Sequence, residues 1–215
     1  TQPRLRRLKP VAAVDTFAET VRLEMDLRME ASAAAELAEN FADDPAYVVP
    51  RIDWERTARR VMTSERIDGV PVHDISALAA AGHNFEDLVR RASEAFFRQV
   101  FRDGFFHADM HPGNLFVGPD GALIPVDFGI MGRIDRPTRN YLADMLLGFL
   151  TRDYDRVADV HFRAGYVPAH QSRDTFKQAA RAIAEPILDR PTSEISIARL
   201  LAQLFQVTEQ FEMET

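Results

Sequence analysis

Apolar side chains recur at three- and four-residue steps along most of this chain, which is the spacing of amphipathic helices. The first stripe runs from Phe17 to Phe41, and its Ala-rich part adds helix propensity, so one long helix is expected over about residues 14–41. A second stripe runs from Phe85 to Val100 and predicts a buried central helix whose aromatic side chains belong to the core. The first half of the chain is therefore predicted to be mainly helical.

Helix caps and helix breakers divide the remainder of the chain. Asp74 begins a short helix that Gly82 ends, and Asn84 caps the central helix. Asp135 and Pro137 open a group of helices in the last third of the chain. These helices are predicted at about 137–151, 153–164, 171–188 and 193–212. The last one carries an apolar stripe that fits either a core or an interface, formed by Leu200, Leu201, Leu204, Phe205 and Val207.

Short runs of alternating or purely apolar residues predict strands at 47–49, 59–65, 115–117 and 122–126. The last two runs are separated by a Gly-Pro-Asp-Gly turn at residues 118–121, so they are expected to form a hairpin. Pro125 cannot donate a ladder hydrogen bond, which predicts an edge or locally unpaired position within the second strand of this hairpin. Small sheets beside many helices make the predicted fold α+β and mainly α.

The hairpin is expected to bring three oxygen-bearing side chains together. Asp109 and Asn114 lie five residues apart on one loop, which a Pro-Gly pair keeps out of an α-helix. The second strand then returns Asp127 beside Asn114. Mg²⁺ takes carboxylate and amide oxygens alongside nucleotide phosphates, so Asn114 and Asp127 are candidate metal ligands. Asp109 is the candidate catalytic residue, which would orient an attacking hydroxyl or accept its proton.

The order of these residues resembles the His-x-Asp-x-x-x-x-Asn loop and the Asp-Phe-Gly segment of the protein-kinase superfamily. The residues that carry the resemblance are His107, Asp109, Asn114, Asp127, Phe128 and Gly129. The surrounding sequence, His-Ala-Asp-x-His-Pro-Gly-Asn-Leu-Phe-Val and then Val-Asp-Phe-Gly-Ile-Met-Gly, resembles the UbiB family of atypical kinase-like proteins. The resemblance implies a protein-kinase-like fold, with ATP as the nucleotide and Mg²⁺ as its metal ion.

The resemblance extends upstream to an acidic helix. The UbiB family carries a Glu-x-Asp pair, followed four residues later by Glu, on the helix equivalent to kinase αC, and Glu24, Asp26 and Glu30 match these positions. By this resemblance Glu30 would pair with the lysine that grips the nucleotide. Glu24 and Asp26 would meet the family's lysine–glutamine segment, which covers the active site. Spacing alone favours a solvated acidic face instead, with Asp26 and Glu30 side by side and with Arg22 and Arg28 as partners.

A hinge between two lobes is expected at Glu65, Arg66 and Ile67, because the sequence from Ser64 to Val72 resembles the hinge of the family. In kinase-like folds the hinge backbone forms hydrogen bonds with the adenine edge, so these three residues are candidates for cofactor binding. A plain transition from a strand to a loop would explain the same residues, and both interpretations stay open.

His107 is expected to support the catalytic loop by forming hydrogen bonds with the backbone of the loop or of the Asp127 region. His107 and His111 have the i, i+4 spacing that chelates zinc when both residues lie on a helix. Pro112 and Gly113 argue against a helix at this point, and the chain contains no cysteine to complete such a site. A zinc site is therefore not expected here.

The sequence departs from the family in one respect. Its lysines are Lys9 and Lys177, and neither lies in an apolar strand upstream of the acidic helix. We therefore expect an incomplete small lobe, a Glu30 without its natural cation, and weak nucleotide binding that a version extended upstream would strengthen. The chain begins with Thr1 and is interpreted as part of a longer protein. Its expected division is a basic arm at 1–10, a partial small lobe at 11–66 and a helical large lobe at 67–215.

Composition narrows the classes of function. The net charge of −7 argues against a body that binds nucleic acid, and the absence of cysteine excludes disulfides. No apolar run has the length of a membrane span. The arginine-rich start of the chain fits a solvated arm or contact with an acidic lipid surface.

The resemblance implies an ATP- and Mg²⁺-dependent kinase-like ATPase that supports the biosynthesis of ubiquinone or related prenyl-quinones. Its partners would be ATP and either prenyl-quinone lipid intermediates or enzymes of ubiquinone biosynthesis. The full-length protein would be cytoplasmic, at the membrane surface, peripheral to or anchored at the inner membrane. Two alternatives stay open: a small-molecule kinase resembling aminoglycoside phosphotransferases, and a pseudokinase scaffold whose C-terminal helices bind a partner.

Overall fold

The computed structural model describes residues 26–188, 190 and 197–213. Contacts divide the chain into two compact units, and the division lies after Arg133. The described residues are mainly helical with small sheets, which confirms the predicted α+β, mainly α fold class. The predicted basic arm and Glu24 lie outside the described residues. The predicted boundary between the two lobes stays a prediction.

The first unit contains three described α-helices and five short strands, four of which follow the last α-helix. Its described helices are α1 (Leu27–Asn40), α2 (Ile75–Ala80) and α3 (Phe85–Phe97). A π-helical segment (Arg98–Asp103) continues α3, and 3₁₀ turns occupy Trp54–Arg56 and Pro112–Asn114. Its strands are β1 (Val70–Pro71), β2 (Phe105–His107), β3 (Leu115–Val117), β4 (Leu123–Pro125) and β5 (Met131–Arg133). Because β2 pairs with β5 and β3 pairs with β4, the loop between β2 and β3 lies beside the segment between β4 and β5.

Helix α1 begins at Leu27, later than the sequence predicts. Asp26 has extended dihedrals, with φ −100° and ψ 90°, and its side chain accepts a hydrogen bond from the Arg28 N–H at 3.2 Å. The Leu27 N–H donates to the carbonyl of Arg59 at 3.0 Å. The expectation of one uninterrupted helix over 14–41 is therefore wrong at Asp26, because a cap and a distant carbonyl replace the helical bonds there.

The predicted hairpin is confirmed, with β3 and β4 antiparallel and Leu115 opposite Pro125. Strand β1 pairs with the other side of β3, so the sheet order is β1-β3-β4. Pro125 therefore lies in an edge strand, where its missing N–H leaves no ladder bond unmade. A second sheet pairs β2 with β5 in antiparallel orientation. The sequence pattern predicts neither of these strands, because each has only three residues and its partner is distant along the chain.

The two other predicted strands, at 47–49 and 59–65, are wrong. The first segment contributes one isolated bridge to Leu123, and the second contributes one from Ser64 to Ile52. Ala58 and Val61 bond to each other across a tight turn, which uses backbone groups that a longer strand would need. The first segment therefore runs as a loop that touches the sheet at one point, and the second runs as a loop whose bridges join it to residues outside the sheets.

The core of the first unit lies where α1 and α3 meet the hairpin. Its buried apolar side chains include Ala31, Ala34, Leu37, Phe41, Leu88, Ala95, Leu115, Val117, Leu123 and Phe128. Helix α3 buries only one side, and its aromatic residues lie largely on the other, with Phe85 49% and Phe96 40% exposed. The prediction that these aromatic side chains belong to the core is therefore wrong, because smaller residues of α3 fill the buried side.

The second unit is helical in its described part. Its helices are α4 (Arg136–Leu150), α5 (Tyr154–Arg163), α6 (Arg173–Leu188) and α7 (Ile197–Gln210). They confirm the four predicted helices, although residues 193–196 lie outside the described part. Asp135 caps α4 by accepting a hydrogen bond from the Thr138 N–H at 2.9 Å. Among the described residues no helix is long and apolar enough to cross a membrane.

The apolar stripe of α7 is divided between the core and the surface. Val207 packs against a buried cluster of Ala158, Val167, Phe176 and Phe211. Leu204 is 44% exposed and Phe205 is 71% exposed. The stripe therefore serves as core on one side of α7 and leaves an apolar surface on the other.

Candidate active site

The loop that joins β2 to β3 carries the candidate catalytic residues, and its two ends are attached to different sheets. Strand β2 pairs with β5, and beyond it the Ala108 N–H donates to the Ile130 carbonyl at 3.0 Å. At the other end, the 3₁₀ turn Pro112–Asn114 leads directly into β3. The loop is therefore held between two sheets, with the Asp-Phe-Gly segment running beside it from β4 to β5.

Asp109, Asn114 and Asp127 are linked by a short set of hydrogen bonds. The Asn114 Nδ2 donates to the carbonyl of Asp109 at 3.4 Å. The Asn114 carbonyl accepts the Val126 N–H at 2.8 Å, and Asp127 follows Val126 in the chain. The backbone of all three candidates therefore lies in one region of the first unit. Their arrangement around a shared metal ion stays a prediction.

The exposure of these side chains limits the kind of metal site they can form. Asp109 and Asp127 are exposed, and Asn114 is half-buried. Across the part of the chain that the structure describes, no three His, Asp or Glu side chains form a group that could hold a metal ion. The candidate ligands remain the Asn114 amide oxygen and the Asp127 carboxylate, and a metal ion at this loop stays a prediction. Mg²⁺ is commonly bound by one or two carboxylates together with phosphate oxygens.

Asp127 has a left-handed backbone conformation, with φ of 62°. Such a conformation costs a residue with a side chain on the order of 1–2 kcal/mol. The Asp127 Oδ1 accepts the Gly129 N–H at 3.3 Å, and the next residue, Phe128, is 4% exposed and belongs to the core. The buried ring therefore holds the chain in a turn that presents the Asp127 carboxylate to solvent. Strain held by its surroundings is typical of functional sites.

Glu30 reaches the Asp-Phe-Gly segment from the first turn of α1. Its Oε1 accepts the Phe128 N–H at 3.1 Å, across 98 positions of sequence. A cleft of about 260 Å³ lies beside this contact, between α1 and the segment from Phe128 to Met131. The pairing of Glu30 with a lysine stays a prediction, and the structure shows that this carboxylate also has a backbone partner.

Asp26 forms an ion pair with Arg28, at 2.6 Å between Asp26 Oδ2 and Arg28 Nη2. The hydrogen bond from the Arg28 side chain lowers the pKa of Asp26 to about 2. Because Asp26 is the cap of α1 and not one of its helical residues, the expectation that it shares a helix face with Glu30 is wrong. Both residues nevertheless line the cleft beside Phe128.

His107 supports the loop, as the sequence predicts. Its side chain is 1% exposed, its Nδ1 accepts the Asp109 N–H at 3.2 Å, and its Nε2 lies 3.5 Å from the Val126 carbonyl. Since Nδ1 accepts, the ring proton is on Nε2 and is directed to Val126. His107 thereby connects the loop to the residue before Asp127. His111 caps the 3₁₀ turn by accepting the Gly113 N–H at 3.0 Å.

The candidate hinge precedes β1. The Glu65 N–H donates to the Arg51 carbonyl at 2.8 Å. No hydrogen bond within the described residues uses the Glu65 carbonyl or the N–H groups of Arg66 and Ile67. Gly69 follows, and a Cβ there would lie 2.9 Å from the Val117 carbonyl oxygen, so the chain passes close to β3. The hinge therefore has free backbone groups, and their use for adenine stays a prediction.

Two residues beside the site have roles that sequence reasoning missed. Gln99 is completely buried, and its Oε1 accepts the His107 N–H at 2.9 Å. Arg133 forms two hydrogen bonds with the Glu36 carboxylate, at 2.8 and 2.7 Å, and its guanidinium lies 4.4 Å from the centre of the Phe105 ring. The sequence gives one local indication of the role of Gln99, which is its polar side chain next to the end of the apolar stripe of α3. It gives no such indication for Arg133.

Comparison with known proteins identifies two regions of the chain. Residues 2–161 match the ABC1 atypical kinase-like domain, and residues 180–215 match the UbiB helical domain. Among solved structures, the complex of Rv3197 with erythromycin from Mycobacterium tuberculosis has a TM-score of 0.64 at 22% identity. That match covers 93% of this chain and 57% of the other chain, and it supports the fold alone.

Curated relatives are similar over almost the whole chain. The probable protein kinase UbiB of Marinobacter nauticus is 44% identical over 213 residues, which are 97% of this chain and 39% of the relative. The probable protein kinase UbiB of Aeromonas hydrophila is 44% identical over 216 residues, which are 99% of this chain and 40% of the relative. The chain therefore spans about two fifths of the length of these relatives.

Proposed function

The chain belongs to the UbiB family of ABC1 atypical kinase-like proteins, and from this premise we propose that it binds ATP with Mg²⁺ and promotes phosphoryl transfer or ATP hydrolysis. The observation that carries the proposal is the hydrogen-bonded link from Asp109 to Asn114 and on to Val126. This link gathers residues of the types that phosphoryl transfer requires, on a loop held between two sheets.

Each candidate residue has a distinct role in the proposed chemistry. The Asn114 amide oxygen and the Asp127 carboxylate would hold the metal ion, which neutralises charge on the phosphates when it is bound. Asp109, exposed at the loop, would orient the attacking hydroxyl or water and accept its proton. The free backbone groups of Glu65 and Ile67 would form hydrogen bonds with the adenine edge. Glu30 would hold the backbone of Phe128, and so the turn that presents Asp127.

The biological setting is a further part of the proposal. The relatives carry the name UbiB, which supports a role in the biosynthesis of ubiquinone or another prenyl-quinone. The complete protein would act at the inner membrane on prenyl-quinone lipid intermediates or on the enzymes that process them. One observation favours a second candidate, a scaffold without catalysis, because the exposed apolar side of α7 fits a partner-binding surface. No observation favours a small-molecule kinase of the aminoglycoside phosphotransferase type.

Titration of the chain with ATP in the presence of Mg²⁺, followed by calorimetry, tests the proposal. Asp127→Asn keeps the shape of the side chain but removes the charge, so it should weaken binding by at least about tenfold, which corresponds to about 1.4 kcal/mol. Asp43→Asn is the matched control, because Asp43 is exposed and its side chain has no hydrogen bond among the described residues. This control should bind like the wild type, and chelation of Mg²⁺ should abolish binding to all three proteins.

Two results would contradict the proposal. Equal affinity of the wild type and Asp127→Asn would show that Asp127 holds no metal ion. Nucleotide binding that persists after chelation of Mg²⁺ would show that the nucleotide binds without the proposed metal site. Either result would leave the scaffold as the better description of the chain.

A further inference from the structure

Gln99 is a polar side chain buried at the centre of the first unit, with both ends of its amide bonded. Its exposure is 0%, its Oε1 accepts the His107 N–H at 2.9 Å, and its Nε2 donates to the Tyr47 hydroxyl at 3.3 Å. Tyr47 is 2% exposed, and burial raises the pKa of its hydroxyl. A buried amide destabilises a protein unless its hydrogen bonds are made. The Gln99 amide has a hydrogen-bond partner at its oxygen and at its nitrogen, so its burial is compensated.

The pairing of β2 explains why His107 needs a partner outside the sheet. In the antiparallel pair of β2 and β5, His107 lies opposite Met131, and the next residue, Ala108, donates its N–H to the Ile130 carbonyl. Residues alternate in the direction of their backbone groups, so the His107 N–H faces away from β5. No strand lies on that side of β2 in the described structure, and the Gln99 amide oxygen takes the place of a strand carbonyl.

The backbone between Gln99 and β2 is unusual. The π-helical segment Arg98–Asp103 starts where α3 ends, and Gly104, with φ of 68°, turns the chain from this segment into β2. π-Helical turns are rare in proteins and occur frequently at functional sites. Here the segment places Gln99 and His107, eight positions apart, within one hydrogen bond of each other.

A chain of two bonds then leads from Gln99 to the candidate catalytic residue. Gln99 holds the N–H of His107, and the His107 ring holds the N–H of Asp109. We propose that Gln99 is a positioning residue that sets the place of Asp109 through His107. The inference rests on the proposed phosphoryl chemistry. Because Gln99 bonds neither Asn114 nor Asp127, it should affect turnover at Asp109 more than binding of the nucleotide.

Steady-state ATP hydrolysis with Mg²⁺, measured on the whole chain, separates these effects. Gln99→Met keeps the length of the side chain but removes its hydrogen bonds, so it should lower kcat about tenfold, or about 1.4 kcal/mol, with KM within about twofold. Tyr47→Phe removes the other bond of the same amide and leaves the His107 bond intact. Tyr47→Phe should lower the stability of the protein about as much as Gln99→Met does. It should nevertheless keep kcat within about twofold of the wild type.

A second variant at the same position and a readout without catalysis complete the test. Gln99→Glu retains an acceptor for the His107 N–H, and the Tyr47 hydroxyl can donate to it, so this variant should recover most of the lost kcat. Amide hydrogen exchange gives a readout without catalysis. In Gln99→Met the His107 amide should exchange at least about tenfold faster, while the Val117 amide, in the other sheet, should not change.

The outcomes distinguish the inference from the proposed function. Faster exchange at His107 in Gln99→Met, together with the loss of kcat, supports the inference. Equal losses of kcat in Gln99→Met and Tyr47→Phe, or unchanged exchange at His107, would overturn it even if the wild type hydrolyses ATP. A wild-type chain that neither binds nor hydrolyses ATP would refute the proposed function, and faster exchange at His107 would then reduce Gln99 to a structural role.

Discussion

Replacement of Glu30 by alanine tests the contact between α1 and the Asp-Phe-Gly segment. The Glu30 Oε1 accepts the Phe128 N–H at 3.1 Å, and Phe128 is 4% exposed, so water cannot easily replace the carboxylate. A hydrogen bond to a charged group contributes about 1.5–3 kcal/mol. The higher helix propensity of alanine offsets a few tenths of this, roughly. Glu30→Ala should therefore lower the free energy of unfolding by about 1–3 kcal/mol.

Two further variants show whether the bond or the charge is responsible. Glu30→Gln keeps a carbonyl oxygen at the same distance along the side chain, so it should cost less than alanine, about 0.5–1.5 kcal/mol. Glu39→Ala removes an exposed carboxylate from the last turn of the same helix, where no described hydrogen bond uses it. This control should change the stability by less than about 0.5 kcal/mol.

Urea unfolding followed by tryptophan fluorescence is the suitable assay. Trp54 is the single tryptophan of the chain and lies in the first unit, so its signal reports the unit that contains the contact. The midpoint should shift to lower urea at an unchanged m-value. Amide exchange at Phe128 should become faster in the alanine variant. If Glu30→Ala is no less stable than Glu39→Ala, the carboxylate does not support the Asp-Phe-Gly backbone.

Two predictions concern the second unit. A Cβ on Gly148 would lie 2.8 Å from the Val157 Cγ2, so Gly148→Ala should lose about 1–3 kcal/mol by overpacking and gain about 1 kcal/mol of helix propensity. Thermal unfolding monitored by circular dichroism should show a lower Tm, and a raised Tm would contradict the close packing of α4 and α5. Burial lowers the pKa of His161 below its ordinary value of 6.5. The folded state then binds fewer protons than the unfolded state, so stability present above about pH 6.5 should fall as the pH drops below it. His161→Gln should flatten this dependence, and an unchanged slope would exclude His161 as its source.

Helix starts in this chain were predictable because each depends on contacts over two or three residues. The caps Asp74, Asn84 and Asp135 accept backbone N–H groups two or three positions ahead, as their positions in the sequence indicate. Asp26 is the informative exception. Its side chain accepts the same kind of local hydrogen bond, but α1 begins there also because the Leu27 N–H donates to the Arg59 carbonyl. The periodicity of apolar residues does not reveal this distant bond.

In the candidate site, too, local features were predictable from the sequence and distant contacts were not. The hairpin was sufficient to predict that the backbone of Asp109, Asn114 and Asp127 lies in one region. The family was predicted from the resemblance of the motifs around these residues, and the family match confirms it. The packing of α3 was not predictable in this way, since the apolar stripe does not show which of its sides the core will cover. Exposed Phe85 and buried Gln99 reverse the ordinary preference, and only the assembled core explains both.

Local chemistry in the sequence was therefore enough for the helices, the hairpin and the order of the candidate catalytic and metal-binding residues. The tertiary structure decided which side chains bond the backbone beside those residues: Glu30 bonds the Phe128 amide across 98 positions, and Gln99 bonds the His107 amide from the π-helical segment. The physical reason is that a cap or a turn gains its free energy within a few neighbouring residues. A bond across 98 positions forms only after the core has brought its two partners together, and its choice depends on every element that packs around it.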